Sequence, residues 1–364
     1  MNVQMKGNEQ ISKLLNDFYQ VMLQQQVEKA KQFKQEIEDK LSSIKEDENL
    51  LLYYSLLNFR YKVLTDGLNI TKDDFNEINS FDIPNNSFLS YYYHFFKAIH
   101  STLLADYNEA KEHFEKAESL LSYVPDELEK AEFNYRISAF FFYTKQPINT
   151  IEYVNKAKEI FLKHKGYETN TALVENVLGL TAIQIKQYEQ AEEYLNSAIN
   201  TLQKQNNETL LLRVRNNLGW LYASQNLSEL AIRHLSEVTE KIPNHFKAIF
   251  LQAREYTKLN EINIAEELIT KGLKVCTKLN NEAYIQHFTI LKALNNNVPT
   301  RELEKIILEG ITYFDKELLF NYTQEYAEKL ALRFYEEGNH VKASKYFHMG
   351  LQAKTKTFEK GALK

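Results

Sequence analysis

Three consecutive acidic residues, Glu46, Asp47 and Glu48, stand directly before an almost continuous apolar run in the stretch EDENLLLYYSLLNFRYKV (46–63). An ionised carboxylate accepts hydrogen bonds and can take a proton from water, so an acidic tip of this kind could position or activate a nucleophile. The same residues also suit the start of a helix, because Asp is a good N-cap and negative charge is favoured there. From these residues alone, both interpretations remain open.

The run behind the tip predicts a helix over 47–65 that is apolar on most of its circumference, and such a helix must be covered on several sides. Two amphipathic helices are predicted before it, over 8–25 and 27–44, because apolar residues recur there at spacings of three and four. The three helices should form a small bundle with the third at its centre. Residues 67–88 are rich in Asn, Asp and Ser, which predicts a linker with one short helical turn.

A repeated pattern fills the rest of the chain. Its clearest copies are YNEAKEHFEKA (107–117), PINTIEYVNKA (147–157), YEQAEEYLNSA (188–198) and SELAIRHLSEV (228–238). Each carries a small residue at the fourth place and an apolar one at the eighth, and successive copies begin 40, 41 and 40 residues apart. Further copies follow at 262–272, 300–310 and 340–350, and a partner helix with its own small residue precedes most copies.

This period resembles the tetratricopeptide (TPR) helix pair, stretched by one to two helical turns. The sequence therefore predicts an all-α fold: a three-helix bundle over 1–66, a linker over 67–88, and a right-handed TPR-like α-solenoid of about seven helix pairs over 89–364. A solenoid of this type presents an inner face that suits an extended peptide.

Composition narrows the function. The chain has 364 residues, a net charge of −5 and a single Cys, so an internal disulfide and a Cys-based zinc site are excluded. The acidic balance argues against nucleic-acid binding, which requires neutralisation of phosphates. The start lacks the apolar run of a signal peptide, and no stretch approaches 18 apolar residues, so neither secretion nor a membrane span is expected. A cytoplasmic location is the expectation.

The acidic turn and its helix (46–63) are similar to the third helix of the Rap proteins of spore-forming Gram-positive bacteria, in which an LLYYSL-type run and a Phe-Arg pair follow an acidic turn. ELEKAEFNYRISAFFFYTKQ (127–146) resembles a second Rap signature, and KQYEQA (186–191) and NNLGW (216–220) resemble Rap repeats. The resemblance covers nearly the whole chain, including the three-helix bundle that ordinary TPR proteins lack.

The resemblance implies a regulator with two possible outputs. Some Rap proteins hydrolyse the aspartyl-phosphate of a sporulation response regulator through the three-helix bundle, and others bind a response regulator and block it without chemistry. A short signalling peptide of five or six residues, secreted and re-imported, binds inside the TPR curve, draws the bundle onto the repeats and switches the protein off. Expected partners are therefore a response regulator and a peptide.

In the phosphatase members a Gln in the acidic turn positions the attacking water, and the matching position here is Glu48. The resemblance implies a catalytic role for Glu48, with Asp47 beside it. An amide both donates and accepts, whereas a carboxylate only accepts when ionised, so this departure puts phosphatase activity in doubt. The predicted response-regulator contacts are Glu46, Asn49, Tyr53, Leu57 and Phe59.

The resemblance also implies the peptide contacts. Asn217 aligns with an Asn that grips the peptide backbone, since an amide can donate to C=O and accept from N–H of one residue. Arg213 lies one helical turn earlier, and Asn176 is a further candidate. Gln184 and Lys329 stand where relatives carry acids, so the peptide is expected to be less basic than theirs.

Chemistry of other kinds is absent from the sequence. It contains no GxxxxGK[ST], GxGxxG, HExxH or GxSxG motif, and His94 and His100 are poorly spaced for a metal. The protein needs no cofactor of its own on this interpretation, and Mg²⁺ belongs to the partner. Three classes remain: a response-regulator phosphatase, a peptide-controlled inhibitor that sequesters its partner, and a scaffold without a peptide ligand, which the N-terminal bundle and Asn217 disfavour.

Overall fold

The computed structural model describes residues 9–40, 47–67 and 69–361. Within these ranges the chain forms 17 α-helices and no strand, which confirms the all-α prediction. The helices are α1 Glu9–Leu23, α2 Val27–Lys40, α3 Glu48–Asp66, α4 Phe88–Leu103, α5 Tyr107–Ser119, α6 Glu127–Tyr143, α7 Pro147–Phe161, α8 Glu168–Gln184, α9 Tyr188–Lys204, α10 Glu208–Ser224, α11 Ser228–Lys241, α12 Phe246–Lys258, α13 Ile262–Lys278, α14 Glu282–Asn295, α15 Thr300–Lys316, α16 Phe320–Glu336 and α17 His340–Gly361.

Helices α1–α3 form the predicted N-terminal bundle, which we call the head. α1 buries one apolar stripe, and α3 is buried on most of its circumference. α1 ends two residues earlier than expected, because Gln25 adopts a left-handed conformation (φ 59°) that turns the chain into α2. The predicted extension of α2 over 41–44 lies outside the described residues.

The linker contains two short 3₁₀ helices, Lys72–Phe75 and Ile78–Ser80, where the sequence predicted one helical turn. Phe75 explains why the segment is ordered against the head. Its ring is fully buried, and its centroid lies 5.0 Å from that of Phe59 on α3 and 5.3 Å from that of His100 on α4. One aromatic side chain thus anchors the linker to two helices.

The chain divides into two compact units, residues 1–181 and 182–364, and the division falls within α8. Unit 1 contains the head, the linker and the helices α4–α7, so the head belongs to the same compact unit as the first repeats. The boundary after residue 66, which would separate a functional head from the linker and the repeats, remains a prediction.

Helices α4–α17 make seven consecutive pairs along the chain, as the repeat predicts. The turn inside each pair carries one residue in the left-handed region, and the next amide donates to the carbonyl five residues earlier at 2.8–3.2 Å. This is the Schellman motif, which satisfies the carbonyls at a helix end. The left-handed residues are Ala105, Lys145, Lys186, Asn226, Asn260, Asn297 and Gly338.

These turns explain how a chain with ten glycines forms so many helix ends. Three of the seven left-handed positions hold Asn, the non-glycine residue that tolerates this conformation best. Their spacings along the chain are 40, 41, 40, 34, 37 and 41 residues. The predicted near-constant period therefore holds for the first four pairs, shortens to 34 and 37 residues after Asn226 and returns to 41 residues at the last pair.

Small residues set the approach of paired helices. A Cβ at Gly219 would lie 2.7 Å from Leu235 Cγ, and a Cβ at Gly272 would lie 2.1 Å from Phe288 Cζ. Cys276 is fully buried in the cluster that contains Phe288, which agrees with its prediction as a packing residue. Neighbouring side chains therefore occupy the space that these glycines leave.

We expect Gly272→Ala to destabilise the protein by about 1–3 kcal/mol, because the added methyl group overlaps a buried, closely packed aromatic ring. Gly350→Ala is the matched control: it is also helical, but its nearest neighbour is the flexible Glu328 side chain, with Cγ at 3.2 Å. Urea unfolding followed by circular dichroism measures both. Equal midpoints for the two variants would contradict the packing account.

Candidate functional site

The acidic tip is built by the start of α3. Asp47 is its N-cap: the Asp47 Oδ1 atom accepts a hydrogen bond from the amide of Leu50 at 3.2 Å. Glu48 and Asn49 follow in the first turn, and both are exposed to solvent. Glu46 lies outside the described residues. Asp47 therefore has a structural role at the helix start, and Glu48 is a carboxylate that a partner can reach.

The helix start also defines the electrostatics of the tip. The free backbone N–H groups of the first turn carry partial positive charge, which attracts a negatively charged side chain such as that of Glu48. An ionised carboxylate at this place can accept a hydrogen bond from a water or from a donor on a partner, and it can take a proton. It cannot donate a hydrogen bond, as the amide of a Gln would.

The other predicted docking residues are buried. Tyr53 and Leu57 are fully buried and Phe59 is 4% exposed. Tyr53 stacks on Tyr92 of α4 with ring centroids 5.8 Å apart, and its hydroxyl donates to Asn16 Oδ1 of α1 at 3.1 Å. In this arrangement the three side chains are core residues of unit 1, so a docking role for them requires α3 to leave α4.

The head contacts the repeats through a dense aromatic layer. The ring of Tyr19 on α1 packs edge-to-face against Tyr92 of α4, with centroids 5.2 Å apart, and lies 6.1 Å from Phe96. The ring of Phe59 packs against His100 at 5.6 Å. Aromatic pairs of this kind contribute roughly 0.5–1.5 kcal/mol each beyond their buried area.

Beneath this layer lies a group of charged side chains that we call the buried polar cluster: Arg60 of α3 with Glu129, Glu132 and Arg136 of α6. Arg60 Nη2 donates to Glu132 Oε1 at 2.9 Å, and Arg136 Nε donates to the same oxygen at 2.8 Å. The side chains of Arg60 and Glu132 are 0% and 1% exposed, while that of Arg136 is 18% exposed. An ion pair thus crosses from the head to the repeats in the protein interior.

Glu129 accepts two hydrogen bonds at the same boundary. The hydroxyl of Tyr19 donates to Glu129 Oε2 at 3.0 Å, and the hydroxyl of Tyr92 donates to Oε1 at 2.8 Å. Helices α1, α4 and α6 therefore meet at one carboxyl group. Neither these partners nor those of Arg60 could be identified from the sequence, although Arg60 lies in the Phe-Arg pair and both glutamates lie in the EKAEF segment.

The two glutamates hold opposite charge states. Burial raises the pKa of Glu129 to about 8, and the hydrogen bonds from Tyr92 and Tyr19 only partly oppose that effect. Burial acts on Glu132 in the same direction, but the guanidinium groups of Arg136 and Arg60 hold the pKa of that carboxyl below its ordinary value. At neutral pH Glu132 is therefore ionised, whereas Glu129 is largely protonated.

The predicted peptide contacts are divided between the two units. Asn176 belongs to unit 1 and is 6% exposed. In unit 2, Asn217 is half-buried on α10 and Arg213 is exposed one turn before it, as predicted. Gln184 is half-buried at the end of α8. Lys329 pairs with Glu325 at 2.8 Å and lies over the Tyr326 ring.

One further basic residue, Lys247, accompanies Arg213, and the sequence did not single it out. Lys247 follows the N-cap His245 of α12, and its side chain is exposed. The protein atoms around Lys247 lower its pKa, and the charge of Arg213 lowers it further. Neither Arg213 nor Lys247 forms an ion pair with any residue that the structure describes. The effect of Arg213 on the pKa of Lys247 indicates that the two charges lie close together in the fold. The sequence could not indicate this, because the two residues are 34 positions apart.

His94 and His100, the two histidines of α4, have different partners. His94 and His113 face each other with their Nδ1 atoms 2.8 Å apart, and His100 Nε2 lies 2.9 Å from the carbonyl oxygen of Thr71. Over 9–40, 47–67 and 69–361, no group of three or more His, Cys, Asp or Glu side chains is arranged to hold a metal. None of the helices described here combines the length and the apolar character that crossing a bilayer demands.

Comparison with known proteins agrees with this architecture. Residues 5–66 match the family model described as response regulator aspartate phosphatase H, N terminal, and residues 171–241 match a tetratricopeptide repeat model. The repeats are thus of the TPR type, and the head is similar in sequence to the N-terminal part of that phosphatase.

Full-length relatives identify the family. The chain is 28% identical to response regulator aspartate phosphatase I of Bacillus subtilis (strain 168), over 95% of this chain and 91% of that protein. It is 27% identical to the regulatory protein RapF of the same organism, over 93% and 92%. A crystal structure of a Rap protein complexed with competence and sporulation factor has the same fold, with a TM-score of 0.85 at 23% identity over 97% and 99% of the chains. The family models, the full-length relatives and this structure all support the Rap family for this chain.

The raised pKa of Glu129 predicts a pH dependence of stability. An unfolded Glu ionises near pH 4.5, whereas Glu129 keeps its proton in the folded protein up to about pH 8. Its contribution to stability is therefore complete below pH 4.5 and is lost as the pH rises from 4.5 to 8. Glu129→Gln removes this titration, so the wild type should lose up to about 1 kcal/mol per pH unit relative to the variant.

Urea unfolding at pH 5.5, 6.5 and 7.5, followed by circular dichroism, measures the difference. Glu112→Gln, on the exposed face of α5, is the matched control and should follow the wild type at every pH. Parallel pH profiles for wild type and Glu129→Gln would show that Glu129 does not titrate within the core as described.

Proposed function

We propose that this protein is a peptide-regulated quorum-sensing regulator that binds a response regulator through its head and hydrolyses the aspartyl-phosphate of that partner. The observation that carries the proposal is the exposed carboxylate of Glu48 at the capped start of α3. The head that carries Glu48 matches the family model of a response regulator aspartate phosphatase. The relatives carry both names, phosphatase and regulatory protein.

The proposed chemistry uses the active site of the partner. A water oxygen attacks the phosphorus atom, the bond from phosphorus to the aspartyl oxygen breaks, and inorganic phosphate and a free carboxylate result. The Mg²⁺ ion that neutralises the phosphoryl charge belongs to the response regulator. Glu48 accepts a hydrogen bond from the water and takes its proton, a role worth about 10²–10⁴-fold in rate.

The charge of Glu48 also works against the reaction. Two like unit charges 4 Å apart repel by about 1 kcal/mol in water and by about 4 kcal/mol at an effective dielectric constant of 20. The Mg²⁺ of the partner offsets part of this repulsion. Because Glu48 both accepts the proton and repels the phosphoryl group, this chain differs from relatives with Gln at the tip. A second candidate function follows: an inhibitor that sequesters a response regulator or another transcription regulator without hydrolysis.

Control of either output is proposed to act through the position of the head. With the head docked on α4 and α6, Tyr53, Leu57 and Phe59 are buried, and α3 is exposed only at its two ends, in its first turn and at Thr65 and Asp66. A partner that needs these side chains therefore binds a released head. The signalling peptide of five or six residues acts in the opposite direction and favours the docked head.

The peptide is proposed to bind the repeats through Asn217, with Arg213, Asn176, Gln184 and Lys329 as further contacts. Fixing each peptide residue costs about 1–2 kcal/mol of backbone entropy, so several contacts of this kind are necessary. The unpaired charges of Arg213 and Lys247 supply an attraction for carboxylates. A peptide with an acidic residue or a free C-terminal carboxylate suits these two cations better than a basic peptide does.

The proposed cellular setting is the bacterial cytoplasm, where the response regulator and the re-imported peptide meet. No nucleic acid and no membrane is involved in the proposed action. The chain requires no metal of its own, because the partner provides the Mg²⁺.

Substitutions at the tip test the proposed chemistry. Glu48→Ala should lower the rate of dephosphorylation of a phosphorylated sporulation-type response regulator by about 10²-fold or more, because no group remains to accept the proton. Glu48→Gln keeps a hydrogen-bonding group and removes the charge but cannot take the proton, so its rate should fall between those of the wild type and Glu48→Ala. Glu112→Ala, which removes an exposed carboxylate from α5, is the control. Release of inorganic phosphate is measured.

The outcomes separate the two candidate functions. If the wild type is inert and Glu48→Gln gains activity, the protein is a binder on a phosphatase scaffold. If Glu48→Ala matches an active wild type, the tip has no catalytic role.

The charge preference of the peptide site is tested with synthetic pentapeptides that differ at one position, by calorimetry. We expect acidic variants to bind about tenfold more tightly than basic ones, equal to about 1.4 kcal/mol. Arg213→Met should weaken the preference because it removes one of the two unpaired cations and leaves Lys247. Arg215→Met is the control, since Arg215 already pairs with Glu237 at 2.8 Å. Tightest binding of a Lys- or Arg-rich pentapeptide would contradict the proposed charge complementarity.

A further inference from the structure

Arg60 is poorly satisfied for a fully buried charge. Only its Nη2 atom has an acceptor, Glu132 Oε1, while Nε and Nη1 are buried without a hydrogen-bond partner in the part of the chain that the structure describes. Glu132 Oε2 is likewise buried and unpaired there. A guanidinium group has five N–H donors, and burial leaves each unused donor without the water that it had in solvent.

The surroundings of Arg60 are not favourable to its charge. Arg136 binds the same carboxylate oxygen, so a second guanidinium group lies close to the first. Burial lowers the pKa of Arg60, the charge of Arg136 lowers it further, and Glu132 only partly restores it. One carboxylate is therefore shared between two cations, and Glu132 remains paired with Arg136 even without Arg60.

The docked head is held by other contacts. Tyr19 and Tyr53 of the head pack against Tyr92 of α4, Phe59 packs against His100, and the amide side chain of Asn170 donates to the carbonyl of Leu23 at 2.9 Å. These interactions are apolar, aromatic or neutral. None of them depends on the guanidinium group of Arg60.

We propose that the buried charge of Arg60 opposes the docking of the head onto α6, so that docking remains reversible. Replacing a buried ion pair by apolar side chains often stabilises a protein, because the pair does not recover the full cost of leaving water. Here the cost falls on the docked state alone, since Arg60 contacts α6 only when the head is docked. Arg60 thus destabilises the docked head, whereas the aromatic layer stabilises it. The idea that release of the head serves signalling rests on the proposed function. The claim that Arg60 destabilises the docked head does not.

Arg60→Met tests directly whether Arg60 destabilises or stabilises the docked head. Methionine retains a long, flexible apolar chain and removes the charge, and Glu132 keeps Arg136. Amide hydrogen exchange of the full-length protein, followed by mass spectrometry, reports the opening of the head at α1 and α4. We expect exchange in both helices to be about tenfold slower than in the wild type. Exchange in α14, which belongs to unit 2, should be unchanged and serves as the internal reference.

Two further variants complete the test. Arg215→Met removes the charge of a partly exposed Arg–Glu pair in unit 2 and should leave exchange in α1 and α4 unchanged. Arg60→Gln, which is neutral but can still donate to Glu132, should slow exchange less than Arg60→Met and decides the question if the Met variant does not fold. Equal or faster exchange in the folded Arg60 variants overturns the inference. Slower exchange without any change in response-regulator binding supports the inference and counts against the proposed link between docking and output.

Discussion

Glu129 and Glu132 lie one helical turn apart on α6, both fully buried, and the protein keeps them in different charge states. Two tyrosine hydroxyls surround Glu129, and two guanidinium groups surround Glu132. The docked head contacts both carboxyl groups, because α1 contributes Tyr19 to the first glutamate and α3 contributes Arg60 to the second. Moving the head away would leave Glu129 with one tyrosine and Glu132 with one arginine, so both carboxyl groups would lose a partner while gaining access to water.

The balance is suited to a moving element. Desolvation of charge acts against docking, and the aromatic layer of Tyr19, Tyr53, Phe59 and Tyr92 acts in favour of it. An interface made only of aromatic and aliphatic side chains would hold the head permanently. An interface made only of ion pairs would not exclude water. The mixture accounts for the apolar character of α3 on almost every side: one face is the core of the head, and another is the contact with the repeats.

Much of the fold could be predicted from the sequence, because it is encoded locally. The fourth and eighth positions of each repeat predicted the helix pairs, and the apolar circumference of α3 predicted its cover. The ends of elements were less certain: Gln25 turns the chain early, and the linker forms two short helices. Partners across the docking surface could not be predicted, since Arg60 and Glu132 are 72 residues apart and only tertiary structure brings them together. Of the predicted site residues, Glu48 and Arg213 are exposed, Asp47 caps a helix, and Tyr53, Leu57 and Phe59 are buried.

We propose that the head, docked on α4 and α6 in the structure, leaves these helices when the protein engages a response regulator. The distance between the head and α5 can be measured by pulsed electron paramagnetic resonance. Spin labels would be placed at Gln35 of α2 and Glu112 of α5, both exposed, in a Cys276→Ser background. The account predicts a single narrow distance distribution for the free protein and a longer, broader one when a phosphorylated sporulation-type response regulator is bound. An unchanged distribution in a complex shown to have formed would contradict it.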